Sequence, residues 1–175
     1  MTSSQSISSQ PAPTAVAEDY LNPVFFLAAT HPAAMKAMNA ELIAGFAPQA
    51  VSWGGAFEGV PLLLLTTRGA RSGLPRTTPV NYTRAAGGYV VLASKSGAPR
   101  HPYWYHNLLA HPDATVEVGG ATLAVRARVT CDTERQRLFD RHITALPTFA
   151  VYQNRTTRQL PVVVLEPVAY AFPSP

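Results

Sequence analysis

Apolar and polar positions change their period twice along the chain. In residues 32–46, Met35, Met38, Leu42, Ile43 and Phe46 recur at helical spacing, with Pro32 suited to a first turn and Gly45 near the stop, which predicts an amphipathic helix. Residues 20–30 are also apolar, but Pro23 interrupts them and leaves room only for a short helix. Beyond the glycine-rich span 53–59 the runs shorten, and residues 60–67, 76–84 and 89–95 read as strands, the last two joined by a Gly87-Gly88 hairpin. A second hairpin at Gly119-Gly120 joins 114–118 to 121–130, where Leu123, Val125, Ala127 and Val129 alternate with Ala124, Arg126, Arg128 and Thr130. Between the hairpins, residues 101–110 predict a short helix with Pro102 in its first turn. Thr133 and Gln136 form a capping-box pattern ahead of Phe139, His142, Ile143 and Leu146, a second amphipathic helix, and residues 160–166 end the pattern as a buried-type strand. Five or six strands with glycine hairpins and peripheral helices predict a mainly β, α+β fold, a small β-barrel with added helices rather than alternating βαβ units.

Composition narrows this picture. A chain of 175 residues suits a single domain, and 47% hydrophobic against 14% charged residues excludes a disordered, solvating chain. The lone Cys131 excludes internal disulfides and multi-cysteine metal sites and suits a cytoplasmic protein. Residues 1–17, mostly Ser, Thr, Gln, Pro and Ala, lack the basic and apolar regions of a signal peptide and read as a disordered tail. Residues 18–59 then form a helical segment packed on a barrel of residues 60–175. No apolar run approaches the roughly 18–20 residues that span a bilayer, so a soluble or at most membrane-peripheral protein is expected. Lys36 is the only basic residue of the helix at 32–46, which favours packing on the protein's own core over a membrane surface.

The formal charge of +4 matters less than its distribution. Residues 59–112 contain no Asp or Glu yet carry Arg68, Arg71, Arg76, Arg84, Lys95 and Arg100. Unbalanced cations repel one another, so such a block means either solvated loop arginines or a bound polyanion.

Familiar catalytic patterns are missing: there is no G-x-S-x-G elbow, no P-loop and no G-x-G-x-x-G fingerprint. His101, His106 and His111 are spaced by five, which turns each about 140° from the last on a helix, whereas metal ligands need spacings of three or four. What remains is the stretch 66–76, a strand end running into a Gly/Arg/Ser turn. Its glycines admit a ligand to the backbone, its hydroxyls and amides donate hydrogen bonds, and its arginine forks grip phosphate or carboxylate. Residues 93–97, leading through Arg100 into the helix near Pro102, form a second candidate anion site. Tyr103, Trp104 and Tyr105 beside it serve either as core packing or as the wall of a slot for a planar ring.

Taken in order, residues 64–79, 93–97, 101–108, 110–112 and 160–167 resemble the deazaflavin-dependent nitroreductase family of actinobacteria. The resemblance implies a split β-barrel of the FMN-binding-like type, a homodimer, and an oxidoreductase that passes a hydride from reduced coenzyme F-420 (8-hydroxy-5-deazaflavin) to an electron-poor acceptor. That acceptor is an activated C=C or C=N, a quinone or a nitro group. The coenzyme's phosphodiester and oligoglutamate tail would explain the acid-free block. The resemblance matches Thr67, Arg71, Ser72, Gly73, Arg76 and Pro79 to the strand end and turn that hold phosphate and tail. It matches Ser94, Lys95, Gly97, Tyr103, Trp104 and Asn107 to segments lining the coenzyme; Ser94 and Tyr152 are the candidate catalytic residues, with Tyr152 or solvent giving the proton. Two departures stand out. Ala70 precedes Arg71 where the family often has consecutive basic residues, and Asn81, Leu146, Phe149 and Tyr152 occupy the acceptor side, where nitroreductases tend to carry several tyrosines. The alternatives are an FMN-dependent oxidoreductase on the same barrel, a non-catalytic polyanion or nucleic-acid binder, and a cofactor carrier or membrane-peripheral quinone reductase using residues 20–46 against lipid. No recognised motif supports a nucleic-acid partner.

Overall fold

The computed structural model describes residues 31–46, 60–85 and 87–168. The expected tail at 1–17, the short helix at 20–30 and the glycine-rich span at 53–59 lie outside the described residues.

Seven strands, β1 (Leu62–Arg68), β2 (Pro75–Asn81), β3 (Thr83–Ala85), β4 (Gly88–Leu92), β5 (Asp113–Val118), β6 (Ala121–Val129) and β7 (Val162–Pro167), form one antiparallel sheet in the order β2-β1-β5-β6-β7-β4-β3. The described helices are α1 (Pro32–Ala44), α2 (Tyr103–Ala110), α3 (Asp132–Ala145) and α4 (Thr148–Asn154). Leu63 and Leu65 of β1 share one core with Tyr89 and Val91 of β4, although three strands separate them in the sheet, so the sheet curls around its own side chains. Val116, Val125, Val163 and Leu165 fill the same interior, and Trp104 and Leu108 of α2 plug it.

The alternate residues of β4 and β7 point the other way. Val90, Leu92, Val162 and Val164 pack against Leu138, Phe139, Leu146, Phe149 and Tyr152 of α3, α4 and their connection, forming a second core outside the barrel. Strands covered on both faces lose polar alternation, which is why 162–165 reads as an unbroken apolar run. Each such Val or Leu, once buried, contributes about 1.5–3 kcal/mol.

The expected strand 76–84 is one ribbon bent at Tyr82. Its first half, β2, pairs with β1 at one edge of the sheet, and its second half, β3, pairs with β4 at the other. The bend is fixed by the Pro61 carbonyl, which accepts the Tyr82 N–H at 3.3 Å and the Asn81 side-chain amide at 3.3 Å. A strand that switches edges turns a corner and draws an open sheet toward closure. Because β2 is an edge strand, Pro79 sits within it without depriving the ladder of a needed donor.

Three further expectations are corrected. The capping box does not form: α3 begins at Asp132 after Cys131, without a side-chain cap, and Gln136 bonds Asp140 instead. Helix α4 follows Pro147 where no helix was expected. The alternation of β6 fails at its end, where Val129 is exposed and Thr130 is buried with its hydroxyl on the Val162 carbonyl. The Gly119-Gly120 hairpin stands as expected, both residues at positive φ, as a two-residue turn with right-handed strand twist requires.

Candidate functional site

The β1–β2 hairpin closes through Gly69 N–H to the Leu74 carbonyl and Gly73 N–H to the Gly69 carbonyl, each 2.8 Å. Arg68, Arg71, Ser72, Gly73 and Arg76 are all exposed on it, and the Ser72 hydroxyl is within 3.3 Å of the Leu74 N–H. Beneath them, buried Thr67 accepts from the Asn107 side-chain amide at 3.0 Å, and the Asn107 carbonyl oxygen accepts the Ala70 N–H at 3.0 Å. Asn107 therefore works inward, tying the cationic turn to α2.

One helical turn earlier on α2 stands Tyr103, four residues from Asn107 and hence on the same face. It is 80% exposed, and the Lys95 ammonium lies 5.6 Å from its ring centroid. The two anion sites expected from sequence are thus brought to one face of one short helix. Trp104 is not in that wall; it is buried in the barrel interior.

Lys95–Gly97 is a tight 3-10 turn in which Lys95 (φ 48°), Ser96 (φ 52°) and Gly97 (φ 81°) are all left-handed. Side chains in that region cost about 1–3 kcal/mol each unless their surroundings over-determine them. Here the surroundings do: the Gly97 N–H bonds the Ser94 carbonyl and the Ala98 N–H bonds the Lys95 carbonyl, at 3.1 and 2.9 Å. A Cβ on Gly97 would lie 2.7 Å from the Tyr152 carbonyl oxygen. The N–H groups of Lys95 and Ser96 find no acceptor among the described residues, and successive N–H groups left open by such a turn make an anion nest. Ser94, mostly buried, is the helical residue just before it.

Tyr152 lies behind this turn. Its ring packs in the outer core 5.4 Å from Phe149, and burial raises the phenol's pKa, with Ser96 and Arg155 pulling the other way. Leu146 and Phe149 lie in the same core, and Asn81 is held by Pro61, so these four residues do not gather on the exposed face of α2. Pro79 is half-buried in β2.

Sequence reasoning missed Arg158, whose side chain reaches back some sixty residues to Ala93, Ser94, Ala98 and His101. His101 is held neutral-leaning by burial, then by Arg158 and His106. Nothing in the stretch 156–159 signals this, because most of the partners are backbone carbonyls, which every residue possesses.

The charge map sharpens. Ion pairs among the described residues use Arg126 with Asp113, and Arg128 with Glu134 and Glu166, all outside the acid-free block. Arg68, Arg71, Arg76, Lys95 and Arg100 have no acidic partner among the described residues. No group of three metal-ligating side chains occurs among those residues, and no helix there is long and apolar enough to cross a membrane.

A family model described as F420H(2)-dependent quinone reductase matches residues 44–167. The chain is similar to an F420H(2)-dependent quinone reductase of Mycobacterium tuberculosis, 43% identical over 108 residues, or 60% of this chain and 72% of that protein. Among solved structures, one described as an F420-H2 dependent reductase is 38% identical with a TM-score of 0.57, covering 61% of this chain and 94% of that one. A domain-swapped dimer is 32% identical with a TM-score of 0.58, covering 77% and 99%.

Proposed function

Since the chain belongs to the F420H(2)-dependent quinone reductase family and has its split-barrel fold, we propose that it is an oxidoreductase that binds coenzyme F-420 on the cationic face of α2 and reduces a quinone-like acceptor. The observation that carries this reading is the meeting, around one helix, of arginines with no acidic partner and a left-handed turn with two N–H groups that find no acceptor, both among the described residues, and an exposed flat ring. That set fits a planar group with a long anionic tail: its side chains supply donors and cations, and none of these cations has an acidic partner among the described residues.

In this reading Arg71, Ser72, Gly73 and Arg76 hold phosphate and tail carboxylates, while Thr67 and Asn107 fix the turn that presents them. Lys95, Ser96 and Gly97 offer backbone N–H groups and an ammonium, Ser94 lies at the turn's entrance, and Tyr103 gives a face for the ring to lie against. Bound and reduced, the coenzyme supplies a hydride, two electrons in one step, which with one proton converts a quinone to its hydroquinone. The protein contributes position and field. Tyr152, buried and with its pKa raised, remains protonated near neutrality and steadies the turn from behind, so solvent is the nearer proton source at the open face. The wider acceptor range, activated C=C or C=N and nitro groups, belongs to the same hydride chemistry. The solved domain-swapped relative supports self-association of this chain as a homodimer.

The test is turnover. Purified protein mixed with reduced coenzyme F-420 and a soluble naphthoquinone should regenerate the oxidised coenzyme's absorbance in proportion to enzyme added. Turnover with reduced FMN and none with reduced F-420 would replace this reading with the flavin one.

A further inference from the structure

Arg158, in the connection between α4 and β7, donates from Nε to the Ala98 carbonyl at 2.9 Å and from Nη1 to both the Ala93 carbonyl and His101 Nδ1, each at 3.0 Å. Its Nη2 donates to the Ser94 carbonyl. The three carbonyls bracket the turn Lys95–Gly97, whose left-handed residues need outside support to persist. A planar fork with donors in fixed directions meets acceptors spread this way, whereas an ammonium offers three donors from a single point. The fourth acceptor is conditional. His101 can accept at Nδ1 only while that nitrogen carries no proton, and it is faced by Arg158, by the Tyr105 ring at 5.0 Å and by His106 at 6.0 Å. Protonation would set one cation against another.

We propose that Arg158 is a positioning residue for coenzyme binding: its guanidinium locks residues 95–97 in the conformation that leaves the Lys95 and Ser96 N–H groups open to an anion, and neutral His101 holds the guanidinium in place. This rests on reading the site as a coenzyme F-420 cradle. It also assigns a ligand-binding consequence to a residue that need not touch the ligand, and it makes that consequence sensitive to acid. Burial, Arg158 and His106 keep His101 below its ordinary value of 6.5, so the clamp is intact at neutral pH and loosens as pH falls through the lowered value.

Two full-length variants test this, Arg158→Lys, which keeps the charge but not the fork, and His101→Phe, which removes the acceptor alone. Three readouts are needed: affinity for oxidised F-420 by fluorescence quenching between neutral and acid pH, thermal melting, and hydrogen exchange of the Gly97 and Ala98 amides. Arg158→Lys should bind at least tenfold more weakly while remaining folded, with both amides exchanging faster. Wild-type affinity should fall on acidification with an inflection that His101→Phe lacks. A lowered melting temperature with unchanged affinity and unchanged exchange in Arg158→Lys would reduce the residue to a structural tie and overturn the proposal. Should that variant fail to fold, unchanged affinity and an unchanged acid limb in His101→Phe would overturn it equally. If wild type itself does not bind F-420, the functional reading fails while the clamp is judged by amide exchange alone.

Discussion

Among the histidines of the described residues, His142 is the most deeply buried. It is fully buried on α3, its Nδ1 lies 3.0 Å from the Thr83 hydroxyl, its Nε2 has no partner, and the Phe149 ring meets it at 4.6 Å. Burial lowers its pKa from 6.5 to about 4. The folded state therefore resists a proton that the unfolded chain accepts readily. The proton-linked cost of His142 is absent above pH 6.5, and stability is lost as pH falls from there toward 4, by about 3 kcal/mol at the limit. His142→Leu should flatten this limb: urea midpoints at neutral and acid pH should lie closer together than in wild type, and an equally steep loss would show that other groups carry it. The core position of this residue was legible from its spacing with Phe139 and Leu146. Its hydrogen bond was not, since Thr83 lies 59 residues away and the hairpin that pairs its strand says nothing of the helix packed on it.

Among the elements, the turn before α2 is the most constrained. Gly87 and Gly97 have similar positive φ, 78° and 81°, but a Cβ at Gly87 would meet nothing within 4 Å, whereas one at Gly97 would press on the Tyr152 carbonyl and on Arg155. Gly87→Ala should therefore cost only the left-handed penalty, about 1–2 kcal/mol. Gly97→Ala should lose about 1–3 kcal/mol more from overpacking against α4, measured by denaturant unfolding; equal costs would show that α4 yields freely. Strands β1, β4, β5, β6 and β7 and helix α2 were legible because glycine turns and apolar runs are local. Helix α4 was not: seven residues give barely two turns, too short for a period to register. The break at Tyr82 was not legible because it is imposed by Pro61, a neighbour in space rather than along the strand.

At the scale of the whole molecule, a charge of +4 conceals a strong asymmetry. Acids pair with arginines across β5, β6, β7 and α3, while the hairpin and the turn before α2 keep their cations for something else. That anion-seeking character could be read from the sequence, because the absence of Asp and Glu over 59–112 is a local fact. Its convergence on one face of α2 could not, since it depends on Asn107 reaching the hairpin and Tyr103 meeting Lys95. Calorimetric titration of coenzyme F-420 into wild type and into the double variant Arg71→Ala/Arg76→Ala, at low and at molar salt, tests this most directly. The dissociation constant of the variant should rise at least tenfold at low salt, about 1.4 kcal/mol, and the difference should shrink as salt screens the tail from the turn. Equal affinities for the two proteins at low ionic strength would contradict the account.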